Sequence, residues 1–190
     1  MATGPQVYKM LENETLWEAA LRCHELLEQA EVPHTVCGGV AVCLHGYQRN
    51  TVDVDFLIRK ESSETIRQVF EDEGLTWMAA RHKFVTPSQI PIQFLVAGDR
   101  AGTGSEVKLP DPAESSTSVT IEGLPVLRLS KLIETKIACG EGNPRRTHKD
   151  FADVVELISI CQLDGTFSRF LHRTLRKTFR QLVRNSLGEH

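Results

Sequence analysis

The sequence lacks any long apolar run, and no hydrophobic stretch approaches the roughly 18 residues that a membrane-spanning helix needs. The segment from Met1 to Met10 lacks a basic stretch followed by an apolar core, so we expect no secretory signal. Cysteines are few, five in 190 residues, and no two of them form a C-x-x-C pair. Their odd number and spacing argue against a disulfide framework and a structural zinc site. These absences predict a protein of a reducing cytoplasm with no membrane partner.

The composition is that of an ordinary globular protein, with 41% hydrophobic and 25% charged residues. It excludes a disordered chain and a collagen-like fibre. Charge is distributed unevenly: residues 166–190 contain six Lys or Arg and one acid, whereas residues 1–165 contain 16 basic and 24 acidic residues. This distribution excludes a bulk nucleic-acid binder but leaves a basic surface near the C-terminus. The basic residues of the last predicted helix form either a solvated face or a contact surface for RNA phosphates.

Hydrophobic periodicity predicts a helix, then strands mixed with helices, then a run of helices. The predicted helices cover 14–31, 40–46, 62–74, 129–141, 147–161 and 167–186. The predicted strands cover 34–37, 52–58, 75–80, 83–86 and 91–97, followed by a hairpin around Gly123. Residues 98–118, rich in Gly, Pro and Ser, predict a long loop that is either a lid or disordered.

This order of elements indicates an α/β (α+β) fold with a small mixed sheet flanked by helices and a helical C-terminal portion. We expect residues 1–128 to form the core together with the N-terminal helix. Residues 129–190 are expected to pack on that core, so that the two parts make a single compact unit.

Two acids in a predicted strand carry the chemical signal. Asp53 and Asp55 stand at i and i+2, so both carboxylates leave the same face of the strand. The flanking residues from Val52 to Ile58 are otherwise apolar, which favours a buried strand where unpaired carboxylates are costly. Mg²⁺ binds oxygen ligands and would relieve the repulsion between the two carboxylates. Two such ions can stabilise both the attacking and the leaving oxygen in nucleotidyl transfer. The alternative is a solvated edge strand.

A glycine pair precedes these acids. Gly38 and Gly39 end a predicted strand and open a helix, where the missing Cβ atoms let a triphosphate approach the backbone amides. On their own, the two glycines could equally form a tight turn.

The glycine pair and the acid pair together resemble the nucleotidyltransferase superfamily, the fold shared with DNA polymerase beta. The run from Gly38 to Asp55, G-G-x-A-x-x-x-H-G-x-x-R-x-T-x-D-x-D, is similar to its minimal bacterial branch. That branch includes abortive-infection nucleotidyltransferase toxins of toxin–antitoxin pairs. A lysine helix around Lys136 and the run R-x-x-K-D-x-x-D from Arg146 to Asp153 agree with the same branch.

The resemblance implies a set of site residues. The glycines and their neighbours would hold the nucleotide, the acid pair would bind Mg²⁺, and the lysine would contact the triphosphate. The implied catalytic residues are Asp53, Asp55, Lys136 and Asp150, the implied nucleotide-binding residues are Gly38, Gly39, Arg49, Thr51, Arg146 and Lys149, and the implied metal ligands are Asp53 and Asp55.

Several of these residues have structural alternatives. Arg49 could shield the acid pair instead of facing the phosphates, and Lys136 could be a solvated lysine. Asp150 could pair with Arg146 at i,i+4 of one helix.

The sequence departs from the family pattern at one position. Active members place a third carboxylate on a later strand, and here Gln93 stands at the expected position. An amide is a poor general base and carries no charge. Asp99 could take its place if the loop folds back. Either transfer proceeds with two acids, or the fold binds a nucleotide without transferring it.

The resemblance therefore implies an Mg²⁺-dependent enzyme that moves a nucleoside monophosphate from an NTP to an acceptor hydroxyl and releases pyrophosphate. The acceptor would be RNA, such as a tRNA end, or a protein side chain, and a toxin would have an antitoxin partner. One alternative is a nucleotide- or RNA-binding module of the same fold. Another is a small-molecule nucleotidyltransferase of the aminoglycoside type, which would need an acidic pocket for its cationic acceptor.

Overall fold

The computed structural model describes residues 14–187, so the segment from Met1 to Met10 used above lies outside the described residues. The α-helices are α1 Glu14–Gln29, α2 Gly38–Leu44, α3 Ser63–Asp72, α4 Leu129–Gly142, α5 Pro144–Ile160 and α6 Arg176–Leu187. The strands are β1 His34–Cys37, β2 Val54–Ile58, β3 Thr76–Met78, β4 Lys83–Val85, β5 Pro91–Val96, β6 Ser118–Ile121 and β7 Leu124–Leu127. No helix among these is long and apolar enough to cross a membrane.

The strands form one seven-stranded sheet in the order β3-β4-β5-β2-β1-β7-β6. Strand β2 pairs in parallel with β5, and β1 pairs in parallel with β7, whereas the other neighbours are antiparallel. The sheet is therefore mixed, with helices around it and three helices at the C-terminal end of the described chain. This architecture confirms the predicted fold class.

The two faces of the sheet differ across β2, β5 and β4. On one face Phe84 and Phe94 lie 5.3 and 5.6 Å from the ring of Phe70 in α3, and this aromatic group belongs to the buried core. On the opposite face, Gln93 of β5 lies between two cross-strand partners, Asp55 of β2 and Lys83 of β4. The polar residues of this second face are only partly buried. The candidate site therefore lies on the face that α3 does not cover.

The long loop between β5 and β6 packs on the molecule. Ala101, Val107 and Leu109 are buried, and the Cys139 thiol of α4 donates a hydrogen bond to the Ala101 carbonyl oxygen (2.6 Å). A Cβ on Gly102 would lie 2.6 Å from the Ala138 carbonyl carbon, so the loop backbone touches α4 directly. The predicted loop is confirmed, and these contacts are not those of a disordered segment.

The last predicted helix is broken. Residues Gly165–Phe170 and Arg173–Leu175 form 3-10 turns before α6, and Leu171 between them is extended (φ −102°, ψ 154°). The backbone amide of His172 donates to the buried carboxylate of Glu134, which fixes the break. Phe170, at the end of the first of these turns, is 55% exposed, with the Arg169 guanidinium 4.7 Å from its ring centre.

Two further details concern the starts of β2 and α3. Strand β2 begins at Val54, and Val52, predicted to be part of it, is 73% exposed. Ser62 occupies the position before α3, but its side chain makes no capping hydrogen bond. The hydroxyl of Ser63 instead donates to the Lys60 carbonyl oxygen in the preceding turn.

Candidate active site

The two predicted acids lie side by side at the start of β2. Asp53 immediately precedes the strand, and Asp55 is its second residue, opposite Gln93 of β5. The Thr51 hydroxyl donates to Asp53 Oδ1 (3.2 Å), and the Gln93 side-chain amide donates to Asp53 Oδ2 (3.1 Å). The structure therefore brings together Thr51, both acids and Gln93, the residue that the resemblance aligns with a third carboxylate.

Asp55 lacks a compensating partner in direct contact. Its side chain accepts no hydrogen bond and forms no ion pair with any residue in 14–187. Burial, followed by the charge of Asp53, raises its pKa to about 6, while more distant positive charges on Lys136, Arg146 and Lys149 act in the opposite direction. Two neighbouring carboxylates with this deficit of positive charge suit a hard cation with oxygen ligands.

The glycine pair lies directly against these residues. Gly38 has φ +61°, and a Cβ there would overlap Asp55 Oδ2 and lie 2.6 Å from Asp55 Cγ. A Cβ on Gly39 would lie 2.8 Å from the Thr51 Cβ and 3.3 Å from Arg49 Nη2. At the start of α2 the backbone therefore lies closer to Asp55 and Thr51 than a residue with a Cβ atom would allow.

Five other residues form a chain of ion pairs that joins the segment after α2 to α4 and α5. Lys136 Nζ lies 2.9 Å from Asp150 Oδ1 and 2.7 Å from Asp153 Oδ2. Arg49 donates twice to Asp153, from Nε (2.6 Å) and Nη2 (2.9 Å). Arg146 Nε donates to Asp150 Oδ2 (2.9 Å), which is the i,i+4 pair considered from the sequence. We call these five residues the ion cluster.

The ion cluster engages most of the charges that the resemblance assigns to the nucleotide. Lys136 is buried with its ammonium between two carboxylates, and Arg49 pairs with Asp153, not with the acid pair. Burial alone would raise the pKa of Asp150, but the Arg146 hydrogen bond and the Lys136 charge hold it below its ordinary value. The predicted contacts of Lys136 and Arg49 with phosphates stay predictions, since both side chains are engaged here.

The remaining predicted residues lie at the edge of the cluster. Lys149 is exposed on α5, close enough to Asp55 to influence its pKa. Asp153 was not among the predicted site residues, although its position three residues after Asp150 already places both on one helix face. The partner that joins them, Lys136 of α4, could not be identified from spacing within α5.

Within residues 14–187, no third carboxylate joins Asp53 and Asp55 in a group that could hold a metal ion. Asp99 follows the end of β5, which runs parallel to β2 from Gln93 opposite Asp55 to Val96 opposite Ile58. Asp99 therefore lies past the far end of the strand. Among residues 14–187 no group of three His, Cys, Asp or Glu side chains is arranged to hold a metal ion. Any cation here would rely on two carboxylates and on neutral ligands.

No family model and no curated protein matches the chain. Among solved structures, a candidate nucleotidyltransferase from Thermotoga maritima, TM1012, superposes with a TM-score of 0.51 at 15% identity. The match covers 72% of this chain and 92% of that one. The chain has the nucleotidyltransferase fold.

Two other structures with lower scores are similar over more of the chain. The antibiotic-resistance factor ANT(2″)-Ia matches with a TM-score of 0.49 and 13% identity over 92% of both chains. JHP933 from Helicobacter pylori matches with a TM-score of 0.49 and 16% identity, over 99% of this chain and 82% of that one. At this level of similarity we take only the nucleotidyltransferase fold from the comparisons, and the toxin branch stays a prediction.

Proposed function

We propose that the chain is an Mg²⁺-dependent nucleotidyltransferase that moves a nucleoside monophosphate from an NTP to an acceptor hydroxyl. The observation that carries this proposal is the contact between Gly38 and the acid pair, in which a backbone without Cβ lies against the carboxylate of Asp55. In a nucleotidyltransferase fold, that arrangement supports a phosphate bound at the glycine backbone next to a cation bound by the acids.

The acid pair fits the proposed cation. Asp53 and Asp55 would be its ligands, since the Asp55 carboxylate has no hydrogen-bond or ion-pair partner among the described residues and its pKa is raised to about 6 by burial and by Asp53. When bound, Mg²⁺ would supply the positive charge that the triphosphate and the two acids share. Arg146 and Lys149 on α5 are the nearby cations whose side chains reach toward solvent, so we assign them to the triphosphate.

The proposed transfer needs no third carboxylate to account for its bonds and its proton. The acceptor hydroxyl oxygen forms a bond to the α-phosphorus, and the bond from that phosphorus to the oxygen bridging to the β-phosphate breaks, so pyrophosphate leaves. The hydroxyl proton passes to water, because the amide of Gln93 cannot accept it. Gln93 instead orients the Asp53 carboxylate, because its side-chain amide donates a hydrogen bond to Asp53 Oδ2.

The decisive experiment follows label from each NTP, radioactive at the α-phosphate, into total RNA and into total protein in the presence of Mg²⁺. Asp53→Asn is run beside the unchanged protein, and Asp99→Asn is the matched control because Asp99 lies at the far end of β5. We expect label in one pool, lost in Asp53→Asn and kept in Asp99→Asn. Label that survives Asp53→Asn would refute the assignment of the acid pair.

A second candidate function, nucleotide binding without transfer, is favoured by one observation. Gln93 sits directly opposite Asp55, where a third carboxylate is expected, and its amide already donates to Asp53. Gln93→Asp distinguishes the two candidates. A large gain of transfer activity would show an enzyme weakened at this position, whereas NTP binding with no transfer in either protein would favour the binding module. The toxin role and an antitoxin partner, implied only by the resemblance, stay predictions.

A further inference from the structure

The sheet face that α3 does not cover, which we call the open face, continues past Asp53 and Asp55 to the edge strand β3. Register places Asp55 of β2 opposite Gln93, Gln93 opposite Lys83 of β4, and Lys83 opposite Met78 of β3. Cross-strand partners point to the same face, and neighbouring strands are about 4.8 Å apart. The Lys83 backbone is therefore two strands, about 10 Å, from that of Asp55, on the same side of the sheet.

A cavity of about 310 Å³ occupies this part of the open face. Met78, Val85 and Pro91 provide an apolar floor, and Lys83 and Arg81 provide its charged groups. Because Val54 pairs with Ile92, Pro91 in the floor is level with Asp53 on the neighbouring strand. The cavity thus lies on the acids' side of the sheet, displaced from them toward the β3 edge.

The charge of this cavity is unusual for the molecule. Among the described residues no Asp or Glu lines it, although acids outnumber bases in residues 1–165. Most other cations near the site are engaged, as in the ion cluster, whereas neither Lys83 nor Arg81 forms an ion pair or a side-chain hydrogen bond with residues 14–187. Two unengaged cations around an apolar floor select an anionic ligand with an apolar surface.

The three acceptor classes considered from the sequence differ in charge. A polycationic aminoglycoside would be repelled by Lys83 and Arg81, and a neutral Ser, Thr or Tyr side chain would gain nothing from them. An RNA strand gains an ion pair at each cation through its phosphates, and a base can lie on the apolar floor. Of the three classes, the cavity suits RNA.

We propose that this cavity is the acceptor pocket, and that Lys83 and Arg81 bind phosphates of an RNA strand whose hydroxyl faces Asp53 and Asp55. The proposal rests on the proposed transferase function and adds the class of acceptor and its place. Lys83 and Arg81 are then the residues that determine acceptor specificity, separate from the residues that hold the NTP.

The test measures two ligands on the same variants. The first probe is a fluorescein-labelled single-stranded RNA of about ten nucleotides, followed by anisotropy as a function of salt. The second is a fluorescent NTP with Mg²⁺. The pocket variant is Arg81→Ala/Lys83→Ala, and the control is Lys60→Ala/Lys108→Ala, which removes the same charge. Lys60 follows the far end of β2, and both control residues are exposed and form no ion pair with described residues.

We expect the pocket variant to bind the RNA at least about tenfold more weakly, because two charge-assisted contacts are lost. The slope of log affinity against log salt should become shallower by about 1.4, the share of two single-strand phosphates. NTP affinity should be unchanged, and the control should leave both affinities unchanged. Asp53→Asn should lower NTP affinity and leave RNA affinity unchanged.

Four outcomes would overturn the acceptor assignment: no RNA binding by the unchanged protein, full RNA affinity in the pocket variant, an equal loss in the control, or loss of NTP affinity in the pocket variant. The last would place Lys83 and Arg81 on the triphosphate. Failure of the proposed function itself looks different, since then the unchanged protein would transfer no label from any NTP into RNA or protein, whatever the RNA affinities of the pocket variant are.

Discussion

Gly38 is the residue at which backbone conformation and the acid pair constrain each other. Its φ of +61° costs any other residue about 1–2 kcal/mol, and its position leaves no room beside the Asp55 carboxylate. We expect Gly38→Ala to lower the free energy of unfolding by about 2–5 kcal/mol and to abolish binding of NTP with Mg²⁺. Urea unfolding and a fluorescent NTP measure the two effects.

The control for this variant is Gly98→Ala. Gly98 has φ +86°, but nothing lies within 4 Å of the position of its Cβ, so it bears the conformational cost alone. We expect a loss of about 1–2 kcal/mol and unchanged NTP binding. Equal losses in the two variants would show that the approach to Asp55 adds nothing.

His34 gives a prediction about pH. Its Nδ1–H donates to the Val32 carbonyl oxygen (2.7 Å), so its Nε2 accepts from His24 Nδ1 (2.7 Å) in the neutral ring. Burial lowers the pKa of His34 below 6.5, which means that the unfolded chain binds the proton more readily. Its contribution to stability is therefore full above pH 6.5 and decreases as the pH falls below 6.5, by at most about 1.4 kcal/mol per pH unit.

The measurement compares urea unfolding of the unchanged protein and His34→Asn between pH 7.5 and pH 5. The difference in free energy of unfolding between the two should shrink as the pH falls, because only the unchanged protein has to keep His34 neutral. Asp55, with a raised pKa of about 6, favours the folded state at low pH in both proteins and cancels in this difference. A difference that is constant with pH would contradict the prediction.

At the scale of elements, the ion cluster determines how α4 and α5 meet. Lys136 is the cation shared by Asp150 and Asp153, and all three side chains are buried. Removing one member leaves buried charges without a partner, so we expect Lys136→Met to lower the free energy of unfolding by about 3–5 kcal/mol. Lys177→Met, at an exposed position in α6, is the control and should change it by less than about 0.5 kcal/mol.

Denaturant unfolding followed by far-UV circular dichroism measures this loss. A loss for Lys136→Met no larger than that of the control would mean that the cluster is solvated and does not hold the helices together. Activity does not enter this measurement, so the result is independent of any role of Lys136 toward phosphates.

Local patterns predicted most elements and the acid pair, because periodicity and the i, i+2 spacing depend only on neighbours in the sequence. The break before α6 could not be predicted in this way. It depends on the carboxylate of Glu134, 38 residues from His172, which accepts the backbone hydrogen bond there. The same holds for Lys136, whose solvated surface position was an open alternative until its partners on α5 were known.

At the scale of the molecule, the site depends on strand order, which the sequence does not contain. Strand β2 lies between β5 and β1, so Gln93 and Cys37 become the neighbours of Asp55. The equivalence of Gln93 to a third carboxylate was a matter of alignment, and the register now places it opposite Asp55. The sequence did not indicate the cavity at Lys83, because β4 contains no recognisable motif. Only the pairing of Lys83 with Gln93 shows that Lys83 lies on the same face as Asp55.

Long-range contacts also argue that the described chain unfolds as one unit. Arg49 joins the segment after α2 to Asp153 of α5, Cys139 of α4 bonds to the β5–β6 loop, and the ring of His45 bonds to the Leu127 carbonyl oxygen (2.8 Å). The first two of these contacts cross the boundary expected near residue 128. We expect a single cooperative transition in urea.

Two probes test this, because they report on different parts of the chain. The only tryptophans, Trp17 and Trp77, lie before residue 128, whereas three of the six described α-helices lie after it and dominate the far-UV signal together with α1. Coincident fluorescence and circular dichroism transitions are expected for the unchanged protein. A helical signal lost at lower urea than the tryptophan signal would show that the helices carrying Arg146, Lys149 and Lys136 unfold separately from the sheet that carries Asp53 and Asp55. In that case Arg146 and Lys149, which we assign to the triphosphate, would stay near the acid pair only while α4 and α5 are packed on the sheet. Binding of NTP with Mg²⁺ would then raise the urea midpoint of the helical signal more than that of the tryptophan signal.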